Sequence, residues 1–247
     1  MSRSVVGRHL SSRRRGRFTC RVVSMTKLEL TRRRYAESIR ELLWQRHRLR
    51  LSGRLVSAFG QIPREKFLGP PPWLIRGLPA TTVCQRVMLR LTRQHVGDWT
   101  TRDPSQLYRD VAVAIDPGRG LNNGQPRGVA TWLHLLELRS GDRVLHVGCG
   151  LGYYTAVVTA AVAPGEVIGV ELDAALASQA RANLGDVNHV TIVDANGVEY
   201  DSGPVDVILV NAGATHPPAA RQPSRRRTNA TSLDRRAGER VDAQGDP

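Results

Sequence analysis

Residues 144–153 read Val-Leu-His-Val-Gly-Cys-Gly-Leu-Gly-Tyr, an apolar run passing directly into three alternating glycines, Gly148, Gly150 and Gly152. Glycines so spaced allow positive φ and close approach of a ligand to the main chain. A helix opening at Tyr153 would add free N–H groups at the same point. A dinucleotide turn needs G-x-G-x-x-G and a phosphate loop needs Gly-Lys-Ser/Thr, whereas position 153 is tyrosine and no Gly-Lys-Ser/Thr occurs. Glu171 closes the next apolar run, 19 residues after Gly152. A carboxylate there can accept both hydroxyls of a ribose. The chemistry indicated is the holding of a nucleoside without a diphosphate. The alternative is a tight strand–helix turn beside a solvated glutamate.

The elements that must position these residues follow from the apolar periodicity. Residues 143–147 read as a strand, Tyr153–Val162 as a helix, 167–171 as a strand and Ala174–Leu184 as a helix; 189–193 and 205–210 read as two more strands. Strands alternating with helices predict an α/β fold with a doubly wound parallel sheet. Upstream, residues 126–138 predict a helix, with Pro126 in the first turn and Val129, Trp132, Leu133 and Leu136 on one face. Residues 25–59 also read as helix: Tyr35, Ile39, Leu42 and Leu43 share a face, and Leu55, Val56 and Phe59 resume it after Gly53. Gly69-Pro70-Pro71-Pro72 must be loop. Residues 74–116 hold short apolar runs with no sustained period.

The chain has 247 residues, enough for a real core, and 36 Lys+Arg against 22 Asp+Glu. The net charge of +14 is unevenly placed: residues 1–56 hold 16 basic and 3 acidic side chains, and residues 141–216 hold two basic and nine acidic. The basic arm is the one part suited to nucleic acid, by non-specific attraction, and a solvated arm explains it equally well. Its first 25 residues, rich in Arg and Ser, lack an apolar face. They read as disorder or as an over-extended start before Met25, rather than as a transit peptide. No run of 18 apolar residues occurs, which excludes a membrane-spanning helix. Cys20, Cys84 and Cys149 form no CxxC pair and the seven His no metal-ligand spacing, so neither a disulfide framework nor a metal is expected. Cysteine usage and the lack of an export signal favour the cytoplasm.

A nucleoside on a GxGxG turn points to S-adenosyl-L-methionine, whose amino-acid end needs no diphosphate cradle. Residues 35–216 resemble the protein-L-isoaspartate O-methyltransferase family in several ordered segments. Ile62-Pro63-Arg64-Glu65-Lys66-Phe67 resembles the family's VPRE-F segment, and residues 118–126, Gly-Arg-Gly-Leu-Asn-Asn-Gly-Gln-Pro, its GYGQTISQP loop. Gly141-Asp142-Arg143-Val144-Leu145 with the glycine turn resembles GDRVLEIGTGSGY, and Val210-Asn211-Ala212-Gly213-Ala214 falls at the family's fourth strand. The resemblance implies a Rossmann-like sheet of the class I methyltransferase type, preceded by a helical N-terminal region. It implies S-adenosyl-L-methionine at His146, Gly148, Cys149, Gly150, Gly152, Tyr153, Glu171, Leu172, Asn196 and Asn211. The acceptor, a protein or peptide containing an isoaspartyl residue, is expected at Asn122, Asn123, Gly124 and Gln125. No catalytic side chain is expected, because an ionised carboxylate attacks the methyl group without a general base. The ester then collapses to a succinimide, which makes the expected role protein repair, by a monomer.

Four positions depart from the family pattern. Gly124 stands where the family has a serine that holds the substrate carboxylate, leaving a backbone N–H and no hydroxyl. Asn196 replaces the acid of the GDG turn, with Asp194 nearby, and its carbonyl can still accept from an adenine amino group. His146 replaces an acid, as a cofactor contact or as a buried strand-end histidine. After His216 the composition turns to Arg, Ala, Ser, Thr and Asp. The expected organisation is therefore a disordered arm (1–25), a helical and substrate-loop region (26–125), a cofactor-binding core (126–216) and a disordered basic tail (217–247). An end so altered would leave the sheet unfinished, with exposed edges. Two other readings stay open: a methyltransferase with a different acceptor, and a degenerate member without turnover.

Overall fold

The computed structural model describes residues 25–77, 97–185, 187–214 and 230–233. The basic arm before Met25, Cys20, Cys84 and most of the C-terminal tail lie outside the described residues.

Helix α1 (Lys27–His47) starts at a capping box in which the Thr26 hydroxyl accepts the Glu29 N–H and the Glu29 carboxylate accepts the Thr26 N–H. It ends where Arg48 turns left-handed, at φ 56°. Helix α2 (Gly53–Gln61) follows, capped by Ser52. The predicted face is the buried one: Tyr35, Ile39 and Leu43 from α1 join Leu55, Ala58 and Phe59 from α2 in the main core.

Residues 73–122 correct the expectation of a helical N-terminal region. Strands β1 (Trp73–Arg76), β2 (Trp99–Thr101), β3 (Ala112–Asp116) and β4 (Leu121–Asn122) form a four-stranded antiparallel sheet in the order β2-β1-β3-β4. Trp73, Ile75, Leu107 and Val113 form its small core. Strands of two to five residues are too short to show a period in the sequence.

The second sheet is the predicted parallel one. Helix α3 (Pro126–Leu135) leads into β5 (Arg143–Val147), α4 (Tyr153–Val162), β6 (Glu166–Glu171), α5 (Ala174–Leu184), β7 (Val190–Asp194) and β8 (Val207–Ala214). The strand order is β7-β6-β5-β8-β9, all pairs parallel. Strand β9 (Ala230–Leu233) is a correction: the tail, read as disordered throughout, supplies a strand whose Ala230 pairs with Leu209 and Thr231 with Val210. Ladder bonds are made by the backbone, so a stretch poor in large aliphatics can still cover the edge of β8. Among the described residues no helix is long and apolar enough to cross a membrane.

Candidate active site

The chain leaves the central strand β5 toward β6 and β7, then returns to β8 on the other side of β5. In doubly wound sheets a ligand crevice opens at the C-terminal strand ends where the order reverses. The glycine turn sits there. Gly148, Gly150 and Gly152 have φ of 73°, 54° and 89°. The Gly148 and Cys149 N–H groups donate to the Val170 carbonyl at 2.8 and 3.2 Å, fixing the turn to β6. A Cβ at Gly148 would lie 2.7 Å from that of Ala212, so both space and φ require glycine.

Glu171 ends β6. Its Oε2 accepts the Gly150 N–H at 2.8 Å and its Oε1 accepts the Asp173 N–H at 3.1 Å. Each oxygen keeps a lone pair for a ligand hydroxyl. Leu172 follows with 72% of its surface exposed, an apolar platform beside that carboxylate. Asp173 caps α5, accepting the Ala175 and Leu176 N–H groups at 2.9 and 3.0 Å.

The loop between β3 and α3 faces the glycine turn. Asn122 Oδ1 accepts the Gly124 N–H at 2.9 Å, and the Tyr154 hydroxyl donates to the Gly124 carbonyl at 3.2 Å. Asn123 is 8% exposed. Its Oδ1 accepts the Val113 N–H at 2.9 Å and an Arg64 N–H at 3.1 Å, while its Nδ2 has no partner. Asn122, Asn123 and Asn211 face residues 148–151 and Tyr153 across a cleft of about 40 Å³. That is room for a carboxylate-sized group; a nucleoside would lie outside it, over the strand ends at Glu171 and Leu172.

The structure thus gathers most of the residues singled out in the sequence and sets two, His146 and Gln125, apart. His146 is fully buried on β5, does not line the cleft, and has Nδ1 2.9 Å from the Thr155 hydroxyl. Burial pushes its imidazole down to about 4, so it is neutral at pH 7. Asn196 lies in the turn after β7, next to Ala195, whose N–H donates to the Glu171 carbonyl at 3.0 Å, and its Oδ1 accepts the Val198 N–H at 3.0 Å. Gln125 faces the opposite way, its Nε2 donating to Asp110 O and Oδ2, both at 3.1 Å. Cys149 does line the cleft, but burial, then the Glu171 charge, push its thiol up to about 12. It is protonated and inert at neutral pH. The Gly124 N–H, expected to be available to a ligand, is taken by Asn122.

Two positioning residues escaped the sequence reading. Arg64 is completely buried and donates to the carbonyls of Leu107 (2.6 Å) and Val111 (2.7 Å) as well as to Asn123. It pins the loop to the helical region, and its place in the Ile-Pro-Arg-Glu-Lys-Phe segment was the available signal. Arg119 ties the same loop to Asp116 and Asp173, at 2.7 and 2.6 Å. No local pattern in the sequence marks that pair.

A family model described as protein-L-isoaspartate(D-aspartate) O-methyltransferase matches residues 76–222. The chain is 36% identical over 118 residues to the protein-L-isoaspartate O-methyltransferase of Ignicoccus hospitalis, covering 46% of this chain and 55% of that one. It is 34% identical over 160 residues to protein-L-isoaspartate O-methyltransferase 2 of Rhodopseudomonas palustris, covering 63% of this chain and 70% of that one. A solved protein-L-isoaspartate O-methyltransferase superposes with a TM-score of 0.53 at 24% identity, over 72% of this chain and 48% of its own, which shows a shared fold. The chain therefore spans little more than half the length of the first of these relatives. With the match running over more than half of its residues, the chain belongs to the protein-L-isoaspartate(D-aspartate) O-methyltransferase family.

Proposed function

We propose that the chain is an S-adenosyl-L-methionine-dependent carboxyl methyltransferase that modifies isoaspartyl residues in proteins, a repair activity, working as a cytoplasmic monomer. The observation that carries the acceptor side is Asn123, a residue of the cleft facing the glycine turn, whose buried Nδ2 has no partner. A buried amide N–H without an acceptor is costly, and a substrate carboxylate is the acceptor that would relieve it.

The residues fit the cofactor. Residues 148–151 present main chain to the cleft for an amino-acid tail, the spare lone pairs of Glu171 suit ribose hydroxyls, and exposed Leu172 suits the face of a base. When bound, S-adenosyl-L-methionine supplies a methyl group made electrophilic by its sulfonium. The chain's own contribution is to hold an acceptor carboxylate in the cleft with the amides of Asn122, Asn123 and Asn211. Such a carboxylate titrates near ~3.5 and is already nucleophilic at pH 7. No protein base is required, in keeping with a buried neutral His146 and a protonated Cys149. Positioning and exclusion of water supply the acceleration. In this reading residues 126–216 hold the cofactor, with β9 (Ala230–Leu233) from the tail joining their sheet, residues 26–125 supply the acceptor loop and its supports, and residues 1–25 stand outside both.

The test is methyl-ester formation on a synthetic peptide containing isoaspartate against the same peptide with ordinary aspartate. Transfer to the isoaspartyl peptide alone is expected. Equal transfer, or none while S-adenosylhomocysteine still binds, would overturn the acceptor assignment. One observation favours a second reading, a different acceptor: at Gly124 the hydroxyl is missing and the backbone N–H is already used.

A further inference from the structure

A hollow opens on the far side of the Gly124-Gln125 turn from the cleft. It measures about 490 Å³, and Arg46, Arg76, Arg109 and Arg127 line it together with Trp99 and Gln125. Asp110 is the one carboxylate among the described lining residues. Arg127 pairs with Asp110 at 3.3 Å and Arg76 with Asp98 at 2.7 Å. Among the described residues the other two cations have no carboxylate partner. Arg46, exposed on α1, has no carboxylate partner among the described residues. Arg109 makes one side-chain contact to the neutral Gln106, at 3.3 Å, and its guanidinium lies 6.0 Å from the centre of the Trp99 ring.

This hollow is connected to the acceptor cleft in two ways. Gln125, which lines it, follows Gly124 directly in the chain. Strand β3 runs from one to the other: Ala112 lines the hollow and Ile115 the cleft. Ala112 and Ile115 are three residues apart, so their side chains leave β3 on opposite faces, and a bound peptide passes from one opening to the other around the Gly124-Gln125 turn.

We propose that the arginine-lined hollow binds an acidic stretch of the acceptor protein that passes around the Gly124-Gln125 turn, seating Asp or Glu carboxylates a few residues from the residue being methylated. The proposal rests on the cleft being the acceptor site. Guanidinium groups are suited to carboxylates because they present paired N–H donors, and Trp99 offers an apolar wall for the methylene groups of the peptide. Phosphates of a nucleic acid would satisfy the same cations, but the hollow borders the acceptor loop, where a peptide must already lie.

The test uses fluorescent isoaspartyl peptides with either Glu or Lys three residues from the isoaspartate, on each side in turn. Binding to the full chain is followed by anisotropy with S-adenosylhomocysteine present, and methylation is followed in parallel with S-adenosyl-L-methionine. One Glu peptide should bind about tenfold more tightly than its Lys partner at low salt, with the difference shrinking as salt is raised. The double variant Arg46→Gln/Arg109→Gln should abolish that difference and leave S-adenosylhomocysteine binding and the Lys peptides unchanged. Equal affinities, a preference that survives in the double variant, binding of no peptide, or displacement of the Glu peptide by a short oligonucleotide at lower concentration than by acidic peptide would each overturn the proposal. Arginine-dependent binding of the Glu peptide without methyl transfer would uphold the hollow and remove the isoaspartyl reading. Methylation indifferent to flanking charge would do the reverse.

Discussion

Arg119 and Asp173, 54 residues apart in sequence, meet at 2.6 Å across the mouth of the site. The arginine belongs to the loop that carries Asn122 and Asn123; the aspartate caps α5 two residues after Glu171. The Asp173 carboxyl is held below the usual carboxylate range, first by the Leu176 N–H and then by Arg119. The proposed acceptor loop and the proposed ribose carboxylate are thereby mechanically joined.

Because the Arg119 side chain is 51% exposed, the pair should contribute no more than about 1 kcal/mol to global stability. Its effect should appear in the acceptor KM. Arg119→Ala and Asp173→Asn, the latter retaining the helix cap, are each expected to raise KM for an isoaspartyl peptide several-fold with little change in kcat. The double variant should be no worse than either single one. Steady-state kinetics on the three variants checks this, and additive losses would show that the two residues act separately.

Glu171→Ala should weaken S-adenosylhomocysteine binding by about 1.5–3 kcal/mol, more than tenfold, if the carboxylate accepts ribose hydroxyls. The same change frees the Gly150 N–H, so the thermal midpoint must be followed alongside. Unchanged affinity in a folded variant would remove Glu171 from the site.

The helices Tyr153–Val162 and Ala174–Leu184 are legible in the sequence to the residue, because glycine at one entry and an Asp cap at the other coincide with a change of apolar period. Most of the candidate site was legible for the same reason: it clusters on one turn and the end of the next strand. What was not legible depends on partners distant in sequence. Asn123 reads as a loop amide until Arg64 and Val113 are seen to use its oxygen. His146 reads equally as ligand or core until its neighbours on β6 and β8 bury it. The strand at Ala230–Leu233 exists through backbone pairing alone, to which side-chain composition is blind.

Buried His146 makes stability depend on pH. Its imidazole titrates near 6.5 in the unfolded chain and at about 4 in the folded one. Above 6.5 both states are neutral and it contributes no slope. As pH falls from 6.5 to 4 the unfolded chain takes up the proton first, which costs about 3 kcal/mol of stability over that window. Denaturant titrations at pH 7, 5.5 and 4 should show the loss in the wild type, and His146→Leu should lose less. Equal slopes would place the proton elsewhere.

Gly124→Ser tests the missing hydroxyl against a conformational cost. At φ 76° a side chain costs about 1–2 kcal/mol, and its Cβ would lie 3.3 Å from Val129 Cγ2. Both Gly124→Ser and Gly124→Ala should therefore lower the denaturation midpoint. A gain in kcat/KM on isoaspartyl peptides is expected for the serine variant alone. No gain, with cofactor affinity intact, would favour a different acceptor.

The most direct measurement is calorimetric titration of the purified chain with S-adenosylhomocysteine. The account predicts one-to-one binding with a Kd in the micromolar range, lost or much weakened in Glu171→Ala. A folded, monodisperse chain that binds none would contradict it, because the glycine turn, Glu171 and Leu172 would then form a methyltransferase fold without a methyltransferase site.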